Sequence, residues 1–222
     1  AEAISPQNRC TPWRSTRTLA IAAHSGARRL CMVTYIVMTS PRERMVASAA
    51  VLIRERGAHP TAIADVLEHS GAPRGSAYHY FPGGRNQLLC EAVDYAADYV
   101  ADRMAKAASG ADMLDGMVRF YRKHLLDTDY RAGCPVLAVA VEAGEPEAGS
   151  PMIDRAAAAF DRWNGLITAR LTADGIPAER AAELAVLMTA AIEGGIVLAR
   201  AARDIKPLDT VHRQLRGLLE AD

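Results

Sequence analysis

Aromatic side chains make up only 5% of this 222-residue chain. Scarce aromatics and abundant alanine argue against sheet and for helix. Cysteine is scarce too. Cys10, Cys31, Cys90 and Cys134 show no CxxC spacing and no disulfide-like cadence, which excludes a disulfide-stapled scaffold and predicts a reducing, cytoplasmic setting. Long apolar runs are missing. The longest, Leu30 to Met38, is broken by Thr34 and falls far short of the ~20 residues of a membrane span, so no membrane partner is expected. Arg28-Arg29 before that run imitates a signal peptide, but no clean small-residue cleavage site follows. HExxH, a GK[ST] phosphate loop, a metal-type Cys/His cluster and internal repeats are all lacking. His79 has no nucleophile and carboxylate at suggestive spacing. No enzyme, cofactor or metal site is therefore expected.

Net charge is absent as well, at +0, but the charges are unevenly spread. Residues 1–37 hold five arginines against Glu2, and residues 38–90 hold six arginines against four acids. The remaining 132 residues carry 15 basic and 21 acidic groups. That asymmetry fits an N-terminal part facing nucleic acid and a solvated C-terminal part, although ordinary surface charge gives the same pattern. Half the residues are hydrophobic, enough for a sizeable core.

The punctuation of the chain predicts about nine helices and no strand. Residues 1–37 show no clear period and read as a poorly ordered extension, alternatively a basic arm; Met38 is a candidate natural start. Ser40-Pro41-Arg42-Glu43 is a capping box with proline at the first helical position, and Gly57 ends the helix. Thr61 is the expected N-cap of the next. Asn86 to about Ala107, 112–126, Pro135–Ala143, Pro151–Ala173, 178–203 and a last amphipathic stretch from Pro207 follow, with Gly144–Ser150 as a loop and Ser150 as a cap.

Residues 61–89, TAIADVLEHSGAPRGSAYHYFPGGRNQLL, are the most informative. Two short helical patterns meet at Gly71-Ala72-Pro73. The second, about 74–80, carries Arg74, Gly75, Ser76, Tyr78, His79 and Tyr80, and Arg85 opens the helix beyond Pro82-Gly83-Gly84. This is helix-turn-helix grammar, with donors suited to a duplex groove. Arginine pairs with a guanine edge, Ser and Tyr reach bases or phosphates, and Gly75 permits a close backbone approach. Helix starts near Thr61 and Arg85 favour phosphate.

The wording from Gly71 to Arg85 resembles the DNA-binding domain of TetR-type transcriptional repressors, in particular the LmrA/YxaF-like branch. That branch more often has Leu at Ala77, His at Tyr80 and Lys at Arg85; the last two changes keep a donor. Gly133-Cys134-Pro135 resembles the same branch. The resemblance is strong over 40–90, weaker over 91–219 and absent over 1–37. It implies phosphate contacts at Thr61, Tyr78, His79 and Arg85, and base-edge contacts near Arg74, Gly75 and Ser76. It also implies an all-α fold: an N-terminal three-helix helix-turn-helix domain (38–90) after the extension (1–37), and a C-terminal helical ligand-binding and dimerisation domain (91–222). The implied partners are a palindromic double-stranded operator, a lipophilic effector and a second copy of the chain.

Two expectations concern the C-terminal part. The 178–203 stretch is apolar nearly all round, so every face needs covering; its own domain covers one side and the simplest cover for the other is the same helix of a second copy, the alternative being a helix buried entirely within one chain. Leu184, Leu187, Met188, Ala191, Ile192 and Gly195 are the expected dimer interface, in line with the paired last two helices that the resemblance implies. Met113, Met117, Phe120, Cys134, Val139, Phe160 and Trp163 lie on several helices and are the expected pocket lining, although helically spaced Met and aromatics also build plain cores. The competing readings are a constitutive DNA-binding protein without a pocket, and an all-α enzyme, which lacks any acid/base constellation.

Overall fold

The computed structural model describes residues 40–142 and 151–221; the readings placed on 1–37, Met38, the Gly144–Ser150 loop and the Ser150 cap lie outside them. Every regular element among the described residues is an α-helix. The order is α1 (Pro41–Arg56), α2 (Ile63–Ser70), α3 (Ser76–Tyr80), α4 (Gly84–Met104), α5 (Gly110–Asp127), α6 (Pro135–Val141), α7 (Pro151–Ala173), α8 (Ala178–Ala202) and α9 (Lys206–Ala221).

Local chemistry sets the starts and stops. The Ser40 hydroxyl accepts the Glu43 N–H, and the Glu43 carboxylate accepts the Ser40 N–H, each at 3.2 Å. Gly57 closes α1 at φ 96°, a conformation open to glycine. The second helix corrects the Thr61 expectation: its N-cap is Ala62, whose N–H is accepted by the Asp65 carboxylate. Thr61 is folded inward and fully buried, its hydroxyl donating back to the Gly57 carbonyl at 2.7 Å. The turn from Gly57 to Pro60 doubles back and needs that hydroxyl for its own buried carbonyl. The third helix starts later than residue 74, because Arg74 and Gly75 form the turn that returns the Ser76 N–H to Pro73 O at 2.9 Å.

Helices α1 to α3 form a small head around Met45, Ile53, Val66, Ala77 and Phe81, all buried. Helix α4 packs on α1 and also on α5, α6 and α7, and so joins this head to the rest of the described chain. The α4–α7 seam is crossed by ion pairs Arg155–Asp94 and Arg162–Asp98, and the α5–α9 seam by Arg122–Asp209 and Arg216–Asp115. Hydrogen bonds to three residues of the body join it to the head at one corner. Gly133 donates its N–H to Arg54 O (2.8 Å), Arg200 on α8 donates to Glu55 O (2.6 Å), and the His59 N–H donates to the Glu142 carboxylate just past α6 (2.8 Å).

By length and composition α8 could cross a bilayer, but half of that stretch is buried inside the protein. It packs on α7 and α9 as a core helix.

Candidate nucleic-acid interface and internal cavity

The head presents α3 outward. Ala77 and Phe81 anchor it in the core, while Arg74, Gly75, Tyr78 and His79 are exposed, Tyr78 at 69%. A large aromatic held in water by a short helix, beside an exposed arginine, is the arrangement a groove-reading surface needs. Tyr80 is half-buried and packs edge-on against His79, with ring centroids 5.2 Å apart. The Ser76 hydroxyl is engaged, donating to Pro73 O at 2.7 Å.

Two expected phosphate contacts are placed differently from what their positions in the motif suggested. Thr61 is sealed, so its side chain offers a ligand nothing in this structure. Arg85 turns back along the head, where Nε donates to Thr61 O (2.8 Å) and Nη2 to Ala58 O (2.5 Å) and His59 O (2.9 Å). It staples the α1–α2 turn to the start of α4.

Behind the head lies a cavity of about 60 Å³ whose wall comes partly from α1 (Ala47, Ala50, Val51, Arg54). Helix α4 adds Tyr95, Ala96 and Tyr99, α5 adds Phe120, Tyr121 and His124, and the 133–136 segment and Trp163 close it. Of the seven expected lining residues, Phe120, Cys134 and Trp163 are here. Val139 packs in the core and Phe160 packs edge-on against Trp163, with ring centroids 5.5 Å apart, and neither lines the cavity. Met113 and Met117 floor a separate cleft between α4 and α5. The residues sequence reasoning missed are Arg54, Tyr95, Tyr99, Tyr121 and His124. Their only signal was a polar tip recurring a turn apart on inward stripes, as in Tyr95/Tyr99 and Tyr121/His124.

The inner end of this region is polar. His124 Nδ1 lies 2.7 Å from the Phe120 carbonyl; a carbonyl only accepts, so Nδ1 carries the proton. Burial pushes the imidazole pKa down to about 4, leaving a neutral ring whose Nε2 lone pair is buried without a partner. Burial likewise pushes the Glu193 carboxyl up to about 7. Burial and the neighbouring Glu193 hold the Cys134 thiol well above its ordinary range, so it is not a reactive thiolate. No group of three or more His, Cys, Asp or Glu able to hold a metal occurs among the described residues.

The dimer expectation also divides. Leu184, Met188, Ile192 and Gly195 face the chain's own core; Gly195 lies under Leu208 and Val211 of α9. Ala191 is half-buried. Only Leu187 of that set is exposed, and its companions are Val186, Val197 and Leu198. The helix is apolar all round, but its own chain covers one face, and Leu184, Met188, Ile192 and Gly195 of the residues expected at a seam are on the covered one.

Residues 46–92 match the family model for bacterial regulatory proteins of the tetR family, and residues 110–214 that for the LmrA/YxaF-like transcriptional regulator C-terminal domain. An uncharacterised HTH-type transcriptional regulator of Mycobacterium tuberculosis, Rv0196, is 64% identical over 188 residues, covering 83% of this chain and 97% of that protein. The HTH-type regulator LmrA of Bacillus subtilis is 30% identical, covering 81% and 96%. Among solved structures, a TetR regulator from Legionella pneumophila superposes with a TM-score of 0.70 at 18% identity, covering 82% of this chain and 99% of that one. One from Chloroflexus aurantiacus superposes at 0.63 with 28% identity, covering 81% and 94%.

Proposed function

This chain belongs to the TetR family of bacterial DNA-binding transcriptional regulators, in its LmrA/YxaF-like branch, and we propose that it works as a homodimeric repressor released from a palindromic operator by a lipophilic effector. The observation that carries the DNA-reading part is the outward face of α3. Arg74 reads a base edge, Gly75 lets the backbone approach, and Tyr78 and His79 meet phosphates. Ser76, Tyr80, Thr61 and Arg85 shape that surface. The 38–90 segment is the reading head and 91–222 the effector and dimer domain, with α4 shared.

Dimerisation is supported by the uncovered face of α8, where Val186, Leu187, Val197 and Leu198 are all exposed. Gly194 on α8 and Gly217 on α9 have open space where a side chain would stand, so no neighbour among the described residues requires them to be glycine. A partner's helices crossing closely there would. Two heads on one two-fold axis match two half-sites.

In this reading the effector enters at the cavity, whose volume of about 60 Å³ must widen to hold it. Its aromatic walls suit an apolar body, and His124 Nε2 suits a ligand carrying one hydrogen-bond donor. Since α1 forms part of the wall, a bound ligand touches the head directly. A hundredfold loss of operator affinity requires the ligand to prefer the released state by ~2.7 kcal/mol.

Footprinting on DNA flanking the protein's own gene tests the reading, with two protected half-sites expected. After removal of residues 1–37, and with them Trp13, Trp163 is the sole tryptophan and lines the cavity. Lipophilic compounds that change its emission should also release DNA. Absence of any footprint, or quenching with unchanged DNA affinity, would count against repression or against coupling, respectively.

A further inference from the structure

The α4–α5 cleft that received Met113 and Met117 lies outside the inner cavity and shares only Val100, Phe120 and Tyr121 with it. It holds about 280 Å³, close to the ~300 Å³ at which small-molecule pockets begin. Its floor is apolar and buried: Met104, Met113 and Met117. Three exposed cations, Arg103, Lys106 and Arg119, line it together. None is in ion-pair range of a carboxylate among the described residues, whereas the neighbouring Arg122 and Lys123 are both paired. The single carboxylate lining the cleft, Asp112, accepts the Ala108 N–H as part of the α5 cap.

A second observation concerns Gly116, in the interior of α5 and in the cleft wall. No neighbouring element among the described residues comes within 4 Å of where its side chain would begin. Glycine weakens a helix interior, and no packing constraint here requires it. Its effect is to keep the cleft open.

We propose that this cleft binds a free amphipathic monocarboxylate of medium chain length. The alkyl chain lies over the three methionines, whose flexible thioethers adapt to it, and the carboxylate meets Arg119 and Lys106. Arg103 stacks on the rings of Tyr99 and Phe120, with centroids at 5.0 and 4.9 Å, and both rings also line the inner cavity. An anion that draws Arg103 outward therefore loosens a wall shared with the inner site. The proposal stands independently of the inner cavity's ligand, because it needs neither His124 nor Trp163.

The test is calorimetric titration of the full-length protein with decanoate below its aggregation limit, beside decan-1-ol and acetate. Decanoate should bind, and the alcohol and acetate should each bind at least tenfold more weakly, since one lacks the charge and the other the chain. The surface double variant Lys106→Gln/Arg119→Gln and the cleft-filling Gly116→Leu should each weaken decanoate at least tenfold. Gly116→Leu meets open space and improves helix propensity, so its melting temperature should be unchanged or raised, and a loss of binding cannot be ascribed to misfolding. Ala96→Phe, which fills the inner cavity instead, should leave decanoate binding in place. No binding to the parent protein, equal binding of decan-1-ol, or binding abolished by Ala96→Phe but kept in Gly116→Leu would each overturn the proposal.

Discussion

Arg74 and Arg85 carry the same charge within one motif, yet the fold exposes the first and commits the second to three backbone carbonyls. Their alanine variants should therefore separate. Arg74→Ala should leave the melting temperature unchanged and relax discrimination at one or two base pairs by about 1–3 kcal/mol, measured by competition with altered operators. Arg85→Ala should lower the stability of the head by about 1–3 kcal/mol and weaken all sequences alike, because the α1–α2 turn loses its staple. An Arg85→Ala protein of parental stability, with only a shallower salt dependence of binding, would return Arg85 to a plain phosphate contact.

Two buried groups set opposing pH responses at the same scale. Glu193 is raised to about 7, so the folded state holds its proton more tightly than the unfolded chain. Its contribution is full below about pH 4.5 and lost as pH rises towards 7. His124 is lowered to about 4, so its contribution is full above about pH 6.5 and lost as pH falls towards 4. Each is on the order of 3 kcal/mol, and the two slopes nearly cancel between pH 4.5 and 6.5. Glu193→Gln should make stability in that window rise with pH, and His124→Gln should make it fall. Denaturant titrations across the window read this out, and parallel profiles for the two variants would refute it.

At the scale of elements, α8 has a covered face and a bare one, and the register between them decides what a substitution does. Ile192 is buried within its own chain, and Leu187 is 44% exposed. Leu187→Glu should give a folded monomer with weakened operator binding, because a charge at a helix–helix seam has no partner. Ile192→Glu should fail to fold, since a carboxylate placed among α7, α8 and α9 costs several kcal/mol. Sedimentation and circular dichroism distinguish these outcomes. A dimeric Leu187→Glu protein would move the seam elsewhere.

Across the whole molecule, the head and body meet at the corner formed by residues 54–59, gripped by Gly133, Arg200 and Glu142. Two of those donors or acceptors flank α6, and the third sits on α8. Arg200→Ala should raise hydrogen exchange at the amides of Gly57 and His59 severalfold while leaving those of α7 protected, because local opening follows the loss of local bonds. Uniformly raised exchange would instead indicate global destabilisation.

Alone, the sequence determined the helical class, most helix ends and the reading head. Those depend on neighbours along the chain: the Ser40 capping box, Gly57 and Gly71 as stops, Pro135 and Pro151 as starts, and the exposed face of the short helix at Tyr78. What a side chain meets across space was decided only by tertiary structure. Thr61 looked like a cap and became a buried brace, because the preceding turn folds back over it. Arg85 looked like a phosphate hand and became a staple, because three carbonyls of that turn stand within its reach. The 178–203 helix announced too much apolar surface, but which half belongs to the chain itself depends on where α7 and α9 dock. Met113 and Met117 share an apolar stripe with Tyr121, yet the rotation of α5 sends the methionines to one cavity and the tyrosine to both. Periodicity fixes the angle between residues on one helix; the direction that angle points in is set by packing.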